Sequence, residues 1–127
     1  MRHAYNKDVK PRPDDFLPLR VVEYHVLLAL ADAERHGYAI MQETAERTDG
    51  AQRLDPATLY RALRRMVKEG LVAESARRRD PEADDERRRY YRVTPLGRQV
   101  ALRETERLEK LVRAARQTRL LRPSSGS

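Results

Sequence analysis

Apolar residues recur along this chain with two periods, and the change of period marks where helix gives way to strand. Between Leu19 and Glu34 the run LRVVEYHVLLALADAE is apolar on most faces and contains neither Gly nor Pro. It predicts a helix buried over much of its circumference. His36-Gly37 interrupts the run and reads as part of an inter-helix turn. In GYAIMQETAERTDG, Ile40, Met41, Thr44 and Ala45 fall at helical spacing, and Asp49-Gly50 supplies a stop. After a short connector, Asp55-Pro56 starts a third helix. Asp caps free N–H groups there, and Pro at the first helical position gives up only a donor that had no partner. That helix, PATLYRALRRMVKE, stops at Gly70.

The period then shortens. LVAESARRR and RRRYYRVT predict two strands around the polar DPEADDE, a β-hairpin with a long charged tip. Thr94-Pro95 opens a last helix, PLGRQVALRETERLEKLVRAARQTRLL, with Thr94 as cap. Pro11, Pro13 and Pro18 make residues 1–18 an extended arm, anchored by Phe16 and Leu17, and residues 121–127 read as a flexible tail. The expected fold is mainly α (α+β): a winged helix-turn-helix over residues 19–94, with a two-stranded β-wing at 71–94 and a long C-terminal dimerisation helix at 95–120.

Composition narrows the chemistry. With 127 residues the chain fits one domain. The absence of Cys excludes a disulfide scaffold, thiolate zinc sites and cysteine nucleophiles. No apolar run is long enough to span a membrane, and the start, MRHAYNKDVKPRPDD, lacks the apolar stretch of a signal peptide. A soluble cytoplasmic domain is expected. His3, His25 and His36 show no ligand spacing, no Ser–His pair is placed for nucleophilic attack, and no Gly-rich phosphate loop occurs. Neither enzyme activity, metal nor cofactor is expected. His25 reads as a structural or interface residue, although both it and His36 belong to the residue type that titrates near neutrality.

Charge adds a direction. The net value of +7 conceals its distribution. Residues 19–55 carry 4 basic and 7 acidic side chains, a net of −3, whereas residues 56–79 carry 7 and 2, a net of +5. On a helical wheel starting at Pro56, Leu59, Leu63, Met66 and Val67 form one apolar stripe centred near about 315°. The opposite face holds Arg61 and Lys68, flanked by Ala57, Thr58, Arg64 and Arg65. No acid occurs from Ala57 to Lys68, although solvated helix faces usually mix signs. Small residues at the N-terminal end let the helix approach base edges, and its free N–H groups favour anions. The pattern predicts a helix that reads double-stranded operator DNA. In the wing, Arg78 and Arg79 leave one strand and Arg87 and Arg88 enter the next, so contacts to flanking DNA are expected at the strand ends and not at the acidic tip. The other explanation of those Arg runs is that they neutralise the tip acids.

The stretches LLALADAERHGYAI (27–40), LDPATLYRALRRMVKEGLV (54–72) and RRRYYRVTPLG (87–97) together resemble the PadR family of bacterial transcriptional regulators. The resemblance covers about Leu19 to Ala115. It implies a winged-helix protein that dimerises through its long C-terminal helix and binds a promoter, usually as a repressor released by a ligand or signal. By position it assigns Thr58, Tyr60, Arg61, Arg64 and Arg65 to the reading helix and Tyr38 to the start of the supporting helix. Tyr90 and Tyr91 match the second wing strand, one facing the core and the other outward. This chain has Pro56-Ala57 where the family commonly has a small residue and Gly, and Ala still allows close approach. Members that sense flat aromatic drugs place a Trp in the dimer pore, and this chain has none.

The last helix carries its own partner prediction. Ala101, Thr105, Leu108, Val112 and Ala115 follow a 4-3-4-3 spacing, with Val100 and Leu111 alongside. So long a stripe calls for a second copy of the chain, with Phe16 and the first helix completing the interface. A homodimer would set two reading helices on successive major grooves. A space between first and last helices is where a small-molecule effector of unknown identity would sit, although no residue marks it. The competing function is a winged-helix adaptor that binds protein and not DNA.

Overall fold

A computed structural model describes residues 10–75 and 89–121. Its elements run in the order of a 3-10 turn (Pro13–Phe16), α1 (Val21–Leu30), β1 (Arg35–His36), α2 (Gly37–Arg47), α3 (Pro56–Glu69), β2 (Val72–Glu74), β3 (Tyr90–Val93) and α4 (Pro95–Arg116). The three strands form an antiparallel sheet in the order β1-β3-β2. Val72 pairs with Val93 and Glu74 with Tyr91 on one side, and Arg35 pairs with Tyr91 on the other. This is a winged helix-turn-helix with one strand more than the hairpin expected from the sequence.

That extra strand is why α1 stops early. The predicted helix to Glu34 ends at Leu30, because Arg35 and His36 are drawn out to pair with β3. The freed carbonyls find distant donors: Arg35 Nε donates to Ala29 O at 2.7 Å, and Arg98 of α4 donates to Ala31 O at 3.1 Å. Such capping satisfies the terminal acceptors that helix geometry leaves open. His36 lies in β1 and also caps α2, its Nδ1 accepting from Ala39 N at 3.1 Å. The N-terminal arm is not extended throughout, since Pro13–Phe16 makes one 3-10 turn.

The remaining boundaries follow local chemistry. Asp49 and Gly50 both take positive φ (51° and 82°) and terminate α2. Asp55 caps α3 by accepting from Ala57 N at 3.1 Å. Gly70, at φ 82°, lets Leu71 N reach back to Met66 O at 2.9 Å and close α3. Thr94 caps α4 through Gly97 N (3.0 Å) and also donates to Gly70 O (2.6 Å), so one hydroxyl joins the end of α3 to the start of α4.

The core lies between α1, α2, α3, the sheet and the first half of α4. Val26, Leu27, Leu30, Ile40, Leu59, Leu63, Met66, Leu71 and Val100 are almost wholly buried. Tyr91 joins them with its ring inward, and Tyr90 lies on the other face, edge-on to His36 at 5.2 Å between centroids. Phe16 and Val100, both expected at a subunit interface, pack into the core of this chain and keep only 7% and 0% of their surface exposed. Phe16 is reached because the 3-10 turn folds back onto α4. Val100 lies in the first half of α4, which covers the protein's own body.

Gly97 marks the tightest approach. A Cβ there would run into the Leu71 carbonyl oxygen and come within 2.8 Å of Val93 Cγ2. Backbone cannot yield as a flexible side chain does. Gly97→Ala is expected to cost about 2–3 kcal/mol, read as a lower midpoint in urea unfolding; an unchanged midpoint would show that α4 can shift off the sheet.

Candidate nucleic-acid interface

The reading helix keeps its acid-free face, but its orientation differs from the wheel drawn from sequence. Its buried residues are Leu59, Ala62, Leu63 and Met66, while Val67 is 38% exposed. Exchanging Val67 for Ala62 turns the inward direction by about 30°, which places the outward face near about 110° on the same wheel. Ala57, Arg61, Arg64 and Lys68 surround that direction and are all exposed. Among the described residues Lys68 has no ion-pair partner. The four side chains line successive turns of one face, as i, i+3 and i+4 positions do.

The same rotation moves Arg65 and Thr58 to the flank. Arg65 Nε lies 3.2 Å from Glu23 Oε2, and Glu23 is fully buried on α1. The other Glu23 oxygen accepts from Arg20 N at 3.1 Å. Arg65 is therefore committed to an internal carboxylate and is a scaffold residue first. Thr58 donates its hydroxyl to the Asp55 carboxylate, and this bond is the first cause of an Asp55 pKa below its ordinary value. The cap thus stays charged at neutral pH.

Tyr60 has a packing role as well. It is half-buried, and a Cβ on Gly37 would come within 2.7 Å of its Cζ. The Tyr60 ring fills the place of that missing side chain and spaces α3 from the start of α2. Next to it, Tyr38 is 59% exposed at the first turn of α2, with its ring stacked 6.5 Å from His36. Its ring stands clear of the core. His25 is held neutral at physiological pH: burial, and then the nearby Arg47 charge, lower its pKa from the ordinary 6.5.

In the wing, Arg78, Arg79, Arg87 and Arg88 lie outside the described residues, together with the acidic tip and the tail from 122. At its base Arg89 pairs with Glu74 across the strands at 3.2 Å, and Arg92 is exposed on β3.

The long helix divides in two. Gly97, Val100 and Glu104 are buried against the body, and Ala101 is half-buried beside them. Glu104 accepts from Leu19 N at 3.2 Å and from Arg107 Nε at 2.6 Å. Thr105 donates its one hydroxyl proton to Ala101 O (2.8 Å), so the 2.6 Å bond to Tyr24 must have the tyrosine as donor. Beyond this point the helix leaves the body. Leu111 and Val112 are 56% and 51% exposed, and Leu108 and Ala115 are half-buried beside them. Five of the seven expected interface residues, all but Phe16 and Val100, therefore keep surface to share. Among the described residues no group of three or more His, Asp or Glu is placed to hold a metal, and no helix is long and apolar enough to cross a membrane.

The description "Transcriptional regulator PadR-like family" fits residues 26–103. The chain is 37% identical, over 92 residues, to the transcriptional regulator Rv3488 of Mycobacterium tuberculosis, which covers 72% of this chain and 79% of that protein. A transcriptional regulator from Clostridium thermocellum superposes with a TM-score of 0.63 at 26% identity, over 77% of this chain and 89% of that one. Bacillus subtilis PadR, solved in complex with operator DNA, has the same fold. Its TM-score is 0.57 at 20% identity, over 81% of this chain and 62% of its own.

The Glu23–Arg65 pair separates scaffold from reading face in an experiment without DNA. Arg65→Ala leaves a buried carboxylate short of its counter-charge and should lower stability by about 3 kcal/mol. Arg61→Ala should change it by under about 0.5 kcal/mol. Equal midpoints in chemical denaturation would mean that Arg65 belongs to the surface.

Proposed function

The chain belongs to the PadR-like family of transcriptional regulators, and from that premise we propose that it is a homodimeric repressor that binds double-stranded operator DNA. The observation that carries this reading is the outward face of α3, where Ala57, Arg61, Arg64 and Lys68 are exposed together with no acid between them. In the major groove Arg presents the paired donors that match guanine O6 and N7, Lys neutralises phosphate, and Ala57 lets the helix start come close. Tyr38, exposed at the first turn of α2, would add a contact from the supporting helix. The operator complex of Bacillus subtilis PadR supports this placement by likeness of fold. The wing arginines would track the flanking backbone.

The outer half of α4 supports the dimer. Leu108, Leu111, Val112 and Ala115 present apolar surface on a helix that has already left its own body, and a second copy would cover it. A twofold axis there would set the two α3 helices about 34–36 Å apart, one turn of DNA. An effector binding near that axis would change this spacing and release the DNA. The reading assigns no catalytic role, and the protein would work on chromosomal DNA in the cytoplasm.

A gel shift at defined salt, comparing DNA upstream of its own gene with random DNA, tests the regulator reading. Preference for the upstream fragment is expected, and Arg61→Glu should remove it while size-exclusion chromatography still reports a dimer. Equal affinity of the variant would displace the reading face from α3. Leu108→Glu with Val112→Glu should convert the dimer to a folded monomer by light scattering and weaken DNA binding at least tenfold. A dimer that survives both changes would place the interface elsewhere.

A further inference from the structure

Between the start of α1 and the flank of α3 lies a recess of about 240 Å³ lined by Arg20, Val21, Thr58, Arg61 and Arg65. Its three guanidinium groups come from two elements separated by some forty residues of chain, and its remaining walls are Val21, Val22, Ala62 and Thr58. Only one of the three is neutralised by contact: Arg65 pairs with Glu23 beneath it. Arg20 and Arg61 are exposed, and neither makes an ion pair among the described residues. A concave surface with two unpaired arginines is suited to an oxyanion, which each fork can grip through two N–H donors.

Its position says which oxyanion. Thr58, Arg61, Ala62 and Arg65 lie between the buried and outward faces of α3, centred near about 190° on the wheel, roughly 80° from the outward direction. The major groove is about 12 Å wide and a helix with its side chains about 10–12 Å across. A helix lying in that groove therefore meets the bordering sugar-phosphate strands with its flanks. The recess opens on one such flank.

We propose that this recess is a clamp for a single DNA backbone phosphate, held by Arg20 and Arg61, with Arg65 kept out of that contact by Glu23. The proposal rests on the DNA-binding reading above. It adds Arg20, at the head of α1 and outside the α2–α3 pair, to the binding surface, and it gives Arg61 a second duty at the groove edge. The buried Glu23 carboxylate then has a consequence for binding. It turns Arg65 inward, so that the recess offers two free guanidinium groups to one phosphate and α1 is locked at a set height above the strand.

The test uses the full chain and two DNA fragments of equal length, one from upstream of its own gene and one random. Arg20→Gln removes one contact from each protomer of the dimer, so it should reduce the slope of log Kobs against log salt by about 1.8 and weaken binding at least fivefold at about 0.15 M salt, equally on both fragments, because a phosphate contact carries no sequence information. Lys110→Gln removes the same charge from an exposed site on α4 and should leave the slope unchanged. Phosphate-ethylation interference should then lose one position in each half-site in Arg20→Gln and keep the others. An unaltered slope and interference pattern in Arg20→Gln, with wild-type binding intact, overturns the clamp and leaves the regulator reading standing. Wild-type protein that binds neither fragment overturns both. Saturation of the DNA-free protein by millimolar inorganic phosphate, abolished in Arg20→Gln, would make the recess a site for free anions and overturn its assignment to the DNA backbone.

Discussion

A carboxylate with no solvent exposure, Glu23, ties the start of α1 to the middle of α3, and the orientation of the outward face of α3 follows from that tie. Burying a charge costs several kcal/mol unless it is paired and hydrogen-bonded. Glu23 is both: Arg20 N donates to one oxygen and Arg65 supplies the counter-charge to the other. One residue earlier, Leu19 N donates to Glu104, which is itself buried on α4 and gripped by Arg107. Two consecutive amides at the head of α1 are thus each held by a buried glutamate from a different helix. α1, α3 and α4 meet at that junction, and breaking either carboxylate frees two helices at once.

This arrangement divides the arginines by duty. Arg65 and Arg107 balance buried acids, Arg35 and Arg98 close the end of α1, and Arg61, Arg64 and Lys68 face outward. A basic count alone does not distinguish these groups. The net charge of +7 says little about binding, because several of the positive residues are already engaged in holding the fold. The division also explains α4. Its first half contributes Gly97, Val100 and Glu104 to the body, and its second half carries its apolar side chains away from it.

Much of the framework was legible in local chemistry. Asp55-Pro56, Gly70 and Thr94-Pro95 each act within one turn of chain, so the bounds of α3 and the start of α4 needed no knowledge of neighbours. The apolar period of α3 was also readable, yet one residue at its edge, Val67, could not be ranked against Ala62. Hydrophobicity favours the larger side chain, whereas the space left by α1 and α2 admits the smaller one. That exchange turned the helix enough to remove Arg65 from the reading face. Tyr60 was likewise assigned by position to the reading helix, and its close packing against Gly37 of α2 could not be read from the sequence.

The sequence by itself determined the order of elements, the caps, the acid-free helix and the family resemblance, because all of these depend on residues within a few positions of one another or on pattern. Tertiary structure decided which polar groups are spent inside. Glu23 meets Arg65 across 42 positions of chain and Glu104 meets Leu19 across 85, and β1 exists only because β3 offers it an edge. Pairings at such separation leave no periodic trace, since they are selected by the packing of whole helices and not by the spacing of residues along one of them.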